Sequence, residues 1–228
     1  MKRYAIETVS KGGYTIVELL VAIAISGIFM GAIYSAYTSQ QRATLGQEQV
    51  SAMQRNLRSA MYFIEKEIRM AGCDPTGRAK IDVAGSLVSP GIIQANANLM
   101  EFAADTDGDG TIAPDERITY SLPGADLIRN GGRIAENIDA INFVYLDADG
   151  NNLADDGLGN VTDPENRAKI RSVQVTVVAR TGKADAKYTD STSYQNKISE
   201  PIFTPSGGDV HFRRKVLSTN IKCRNLGL

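Results

Sequence analysis

The sequence has no tryptophan, a single histidine (His211) and only two cysteines, Cys73 and Cys223. One histidine cannot form a metal or catalytic cluster by itself, and without a Cys-x-x-Cys pair there is no zinc-ribbon or thioredoxin-type motif. Nucleophile-elbow, P-loop and HExxH patterns are also missing, so the expectation is a protein that is not an enzyme. The net charge is −1, with both signs interspersed. That excludes a strongly basic nucleic-acid surface, and no nucleic-acid partner is expected. Proline does not occur before Pro75, and no charged residue occurs from Leu19 to Gln41. Together these two absences leave one long stretch in which no proline breaks a helix and no charge resists a membrane.

That stretch covers the ~20 residues a helix needs to cross a hydrocarbon layer about 30 Å thick. Glu18 sits just inside it, where a lone carboxylate is costly unless something pairs with it. In front lies a short leader, with Lys2, Arg3 and Lys11 holding it on the cytoplasmic side and Gly12-Gly13 closing it. A secretory signal would place its small cleavage residues after the apolar run; here the glycine precedes it.

The residues Gly13-Tyr14-Thr15-Ile16-Val17-Glu18 resemble the class III signal of type IV pilins and type II secretion pseudopilins. The resemblance implies cleavage by a prepilin peptidase between Gly13 and Tyr14, followed by methylation of the new amine. It also makes Glu18 the fifth mature residue, pairing with the terminal amine of a neighbouring subunit. Tyr14 stands where the family usually has Phe.

From Tyr14 the pattern reads as one helix to Ala71. Gly27 and Gly31 have the Gly-x-x-x-Gly spacing of close helix packing in lipid, a weak signal alone. Beyond Gln41 the helix turns amphipathic, with Val50, Met53, Leu57, Ala60 or Met61, Ile64 and Ile68 forming an apolar stripe. Ala71-Gly72-Cys73-Asp74-Pro75 is a stop signal. Strand patterns follow at 99–103, 117–122, 138–146, 171–180 and 214–224, while 182–208 is polar and is expected to be a mobile surface loop. The expected fold is α+β: a long N-terminal helix, transmembrane in its first half, packed on an antiparallel sheet as a pilin-like lollipop. Residues 1–13 would be leader, 14–71 the assembly helix and 72–228 a β-rich periplasmic domain.

Ala71-Gly72-Cys73-Asp74-Pro75, the strand beginning at Ile170-Arg171 and the closing Arg224-Asn225-Leu226 are similar to PilW-type minor pilins. This implies inner-membrane insertion, other pilin subunits and the prepilin peptidase as partners, and a role in pilus initiation or assembly. A J-type minor pseudopilin of type II secretion and a calcium-binding tip adhesin module remain the alternatives. Export would allow a Cys73–Cys223 disulfide closing a very long loop; two separate thiols are the other reading.

The stretch from Asp105 to Glu116 has the register of a twelve-residue calcium loop. Asp105, Asp107 and Asp109 take positions one, three and five, Gly110 position six, the Thr111 carbonyl position seven and Glu116 position twelve. Its flanks are strand-like rather than helical, so it would hold Ca²⁺ without being a switch; a metal-free acidic turn is the alternative. A second acidic run, Asp147 to Asn152, lacks the full register and reads as a turn.

Overall fold

In the computed structural model, residues 12–83 and 85–227 are described. The leader residues Lys2, Arg3 and Lys11 lie outside them. The chain divides into two compact units, 1–48 and 49–228.

One helix, α1 (Ile16–Ile68), begins in the first unit and ends in the second. It stops at Ile68 rather than at the expected Ala71 because its last turn tightens. The amides of Met70 and Ala71 bond to the carbonyls of Glu67 and Ile68, three residues back, and Gly72 then adopts φ +78°. Only glycine takes that conformation without strain.

The rest of the second unit holds a short helix, α2 (Pro164–Ala168), and twelve short strands: β1 (Ile81–Val83), β2 (Ser86–Val88), β3 (Ile92–Ala95), β4 (Leu99–Ala103), β5 (Arg117–Ser121), β6 (Leu127–Arg129), β7 (Gly132–Ala135), β8 (Ile138–Leu146), β9 (Ser172–Arg180), β10 (Tyr194–Gln195), β11 (Pro201–Phe203) and β12 (Arg214–Lys222). All pairings are antiparallel. The single sheet expected from the sequence is in fact two principal sheets, ordered β3-β4-β5-β6-β7 and β12-β9-β8, with two-stranded ribbons β1-β2 and β10-β11. Asn130-Gly131 turns the β6–β7 hairpin with φ of 47° and 79°, the positive pair a two-residue hairpin loop requires.

The core of this unit collects Met53, Leu57, Ala60, Met61, Ile64 and Ile68 from α1 against Phe102, Tyr120, Ile138, Phe143, Tyr145, Val173, Val175 and Val177 from both sheets. The apolar stripe of the helix is thus the face that packs on the strands. Polar ties fix its last turns. Glu67 accepts from the Arg129 Nε at 2.9 Å and from the Tyr120 hydroxyl, a group 53 residues away in sequence. Burial, and then that carboxylate, push the Tyr120 phenol far above its ordinary range.

The segment 182–208 is not the mobile loop its polarity suggests. It carries β10 and β11 and leads into a 3-10 turn, Gly207–His211. Buried polar groups anchor it where apolar ones are scarce: Asp190 accepts from the Tyr194 hydroxyl at 2.9 Å, and Asn196 donates to the Asn142 side chain at 3.0 Å. His211, the lone histidine, places Nδ1 2.8 Å from the Tyr188 carbonyl within the same segment.

Candidate functional site

Gly12, Gly13, Tyr14 and Thr15 precede α1, are non-helical and are exposed. The Gly13–Tyr14 peptide bond therefore lies outside the helix and is exposed. Immediately beyond, Thr15 and Glu18 cap the helix reciprocally. The Thr15 amide donates to Glu18 Oε2 at 2.9 Å, and the Glu18 amide donates to Thr15 Oγ1 at 3.2 Å. This is a capping box, and it satisfies amides at the helix start that would otherwise have no partner. The Thr-x-x-Glu spacing announces it in the sequence, and it gives Glu18 a local structural task.

Behind the cap, Ile16, Val17, Leu19, Leu20, Val21, Ile23, Ile25, Ile28 and Phe29 are all exposed. By length and composition the helix can cross a membrane. Nothing in the described chain meets a Cβ built on Gly27 or Gly31.

The acidic loop joins β4 to β5, with strands on both sides as expected. Asp105 is buried, and its carboxylate accepts from the amides of Gly108 at 2.7 Å and Gly110 at 3.0 Å. Asp109 accepts from the Thr111 amide at 2.7 Å and its hydroxyl at 2.6 Å, contacts that hold its carboxyl below the usual carboxylate range. Asp105, Asp107 and Asp109 can bring one oxygen each within 4.8 Å of one another. Glu116 is outside that group. Its two oxygens accept from the amides of Thr106 at 2.5 Å and Ala113 at 3.1 Å. Burial raises the Glu116 carboxyl, but the Thr106, Ala113 and Asp107 donors outweigh it and hold it below its ordinary value. The loop is therefore built by its own backbone donors around three convergent aspartates. With Thr111, these are the residues that could hold a hard cation.

The second acidic run is a turn, as expected: Asp147 accepts from the amides of Asp149 at 2.9 Å and Asn151 at 2.8 Å. Cys73 and Cys223 are not bonded to each other in this structure. Cys223 belongs to the buried core beside Tyr145, and burial pushes its thiol up to about 12. Cys73 is half-buried in the turn after α1, where burial and then Asp105 raise its thiol.

Residues 9–34 match the profile of the prokaryotic N-terminal methylation motif, and residues 116–225 match that of type IV pilus-assembly protein W. Among solved structures, a type IV-like pilin from Thermus thermophilus is similar at 12% identity over 76% of this chain and 97% of its own, with a TM-score of 0.45. No curated protein matches the chain. The methylation motif, the apolar helix behind it that is long enough to cross a membrane, and the assembly-protein match over residues 116–225 make the chain similar to type IV pilin-like proteins. Within that class the match over residues 116–225 is to the family of type IV pilus-assembly protein W, and the chain is most like a PilW-type minor pilin.

Proposed function

We propose that this minor pilin is cut by a prepilin peptidase after Gly13, keeps Tyr14 as its methylated first residue, and enters the pilus through the apolar half of α1. The observation that carries the reading is the capped, exposed start of that helix. It has an exposed, non-helical bond before it, one carboxylate in its first turn and no further charge until Arg42. In this reading the helix is a single pass through the inner membrane, and the β-rich unit lies in the periplasm. Glu18 pairs with the terminal amine of a neighbouring subunit. Opposite charges in an apolar bundle attract far more strongly than in water, and an unpaired buried carboxylate is costly, so the pair selects one register. Gly27 and Gly31 leave open a face on which another helix can approach closely.

We further propose that Asp105, Asp107, Asp109 and the Thr111 carbonyl bind Ca²⁺, with Glu116 completing or bracing the loop. Hard oxygen ligands at this spacing suit calcium, and three carboxylates already converge. Bound ion would supply charge neutralisation and stiffen the β4–β5 connection.

The test of the assembly reading is processing. Replacing Gly13 with Leu should leave the leader attached, as seen in the mass of the extracted protein. A normal mature terminus at Tyr14 in that variant would sink it.

A further inference from the structure

We propose that the outer edge of β12 receives an acidic, extended strand from a different pilin subunit, by β-strand addition. The inference rests on the assembly role above.

In the β12-β9-β8 sheet the two edges differ. On the β8 side, the Phe143 amide bonds to the Ala97 carbonyl at 2.8 Å and the Leu153 amide to the Tyr145 carbonyl at 3.0 Å, so neighbouring chain covers it. β12 pairs with β9 alone among the described strands, over all of Arg214–Lys222. At its two ends the Thr181 amide bonds to the Arg213 carbonyl and the Cys223 amide to the Arg171 carbonyl. Hydrogen-bonded pairs alternate along an antiparallel ladder, so the odd-numbered residues of β12 bond to β9. Val216, Ser218 and Asn220 then turn their N–H and C=O groups outward, a ladder ready for another strand.

Charge says which strand fits. From Phe212 to the C-terminus there are five basic residues, Arg213, Arg214, Lys215, Lys222 and Arg224, and no acid. Arg213 is paired with Asp185 and Arg214 is buried. Lys215, Lys222 and Arg224 are exposed and take part in no ion pair among the described residues. Edge lysines deter pairing with neutral or basic strands, and the same charges favour an acidic one. Lys215 and Lys222 are seven positions apart and so project to opposite faces. The matching strand carries carboxylates at both ends, on opposite faces, around a small or hydroxyl-bearing centre.

The experiment uses the full chain in pilus-producing cells. A photo-crosslinking amino acid is placed at Val216 or Asn220, with Ile28 on the apolar helix as a separate position. The expected product at 216 and 220 joins this chain to an acid-bearing segment of another pilin subunit, identified by peptide mass spectrometry. Its yield should fall about tenfold with K215E/K222E, which turns two weak attractions into repulsions. Lysines in place of the partner's carboxylates should restore it. If Ile28 crosslinks to pilins while 216 and 220 do not, the edge proposal fails and the assembly reading stands. Products that persist unchanged under charge reversal, or that join two copies of this chain, also overturn it. Absence of product at all three positions overturns both.

Discussion

Asp139 Oδ2 lies 2.6 Å from the Nε of Arg214, and both side chains are almost fully withdrawn from water, at 5% and 0% exposure. Asp139 is on β8 and Arg214 opens β12, so the pair spans the three-stranded sheet across β9. Arg214 Nη1 also reaches Asp190 Oδ2 at 3.3 Å, and the guanidinium lies 5.0 Å from the Phe203 ring centroid. One arginine thereby ties the sheet to the segment 182–208. Removing the cation would leave Asp139 and Asp190 buried with less compensation, so Arg214→Met should cost about 3–5 kcal/mol. Arg214→Lys should recover part of this, because an ammonium cannot reproduce the planar fork. Denaturant midpoints of the full chain in detergent check it. A loss below about 1 kcal/mol for the methionine variant would mean that the segment is held by something else.

Glu18 has two tasks that substitution can separate. Glutamine keeps the back-bond to Thr15 that completes the capping box; alanine removes it. Neither can pair with a neighbour's amine. Both variants should therefore be cleaved and inserted normally yet enter pili poorly, while only Glu18→Ala should also fray the first turn, at about 0.5–2 kcal/mol. Quantifying each variant in sheared pili against membrane fractions decides it. Wild-type incorporation of Glu18→Gln would confine Glu18 to capping.

Several strands are legible in the sequence because their periodicity is local. Leu99–Ala103 and Ile138–Leu146 have the same bounds in pattern and structure, and the stripe from Val50 to Ile68 is the face that packs. The segment 182–208 escapes because its anchors are single polar residues bonded far away. Asp190 meets Arg214 and Asn196 meets Asn142, 54 positions distant. No period of two or 3.6 residues encodes such a contact. The acidic loop is legible in its ligand spacing, but Glu116's engagement with Thr106 and Ala113 depends on how the backbone curls. The thiols follow the same rule, since a sequence cannot tell that one is packed beside Tyr145 and the other lies in a turn.

The loop should respond to acid in a defined direction. Glu116 and Asp109 are held below their ordinary values, chiefly by loop amides and hydroxyls in the case of Asp109 and by amides overcoming burial in that of Glu116. A carboxylate with a depressed folded value contributes stability that is fully present above its unfolded value, about 4, and is lost as pH falls through the folded one. Hydrogen exchange at Thr106, Asp107 and Ala113 should therefore be protected at pH 6 and lose protection below about pH 4. Undiminished protection down to pH 2, after correction for intrinsic exchange rates, would contradict it.

Calcium binding is the remaining expectation. A ligand that binds only the folded chain adds RT ln(1 + [L]/Kd), about 1.4 kcal/mol at a tenfold excess. Extracellular calcium modules bind at about 10⁻⁴–10⁻³ M, so several millimolar Ca²⁺ reaches this range. For a chain of this size that corresponds to roughly 3–6 °C in Tm. Magnesium should give less, because its small octahedral shell suits a carboxylate-rich loop poorly. Two aspartates should behave differently. Asp107 is exposed and its carboxylate accepts only from the Asp109 amide, at 3.0 Å, among the described residues, so Asp107→Ala should abolish the calcium shift with little change in chelator. Asp105 is buried and holds the Gly108 and Gly110 amides, so Asp105→Ala should lower Tm in chelator as well. Wild-type chain melting at one temperature in chelator and in calcium would make the loop a metal-free turn, with its aspartates serving only the backbone.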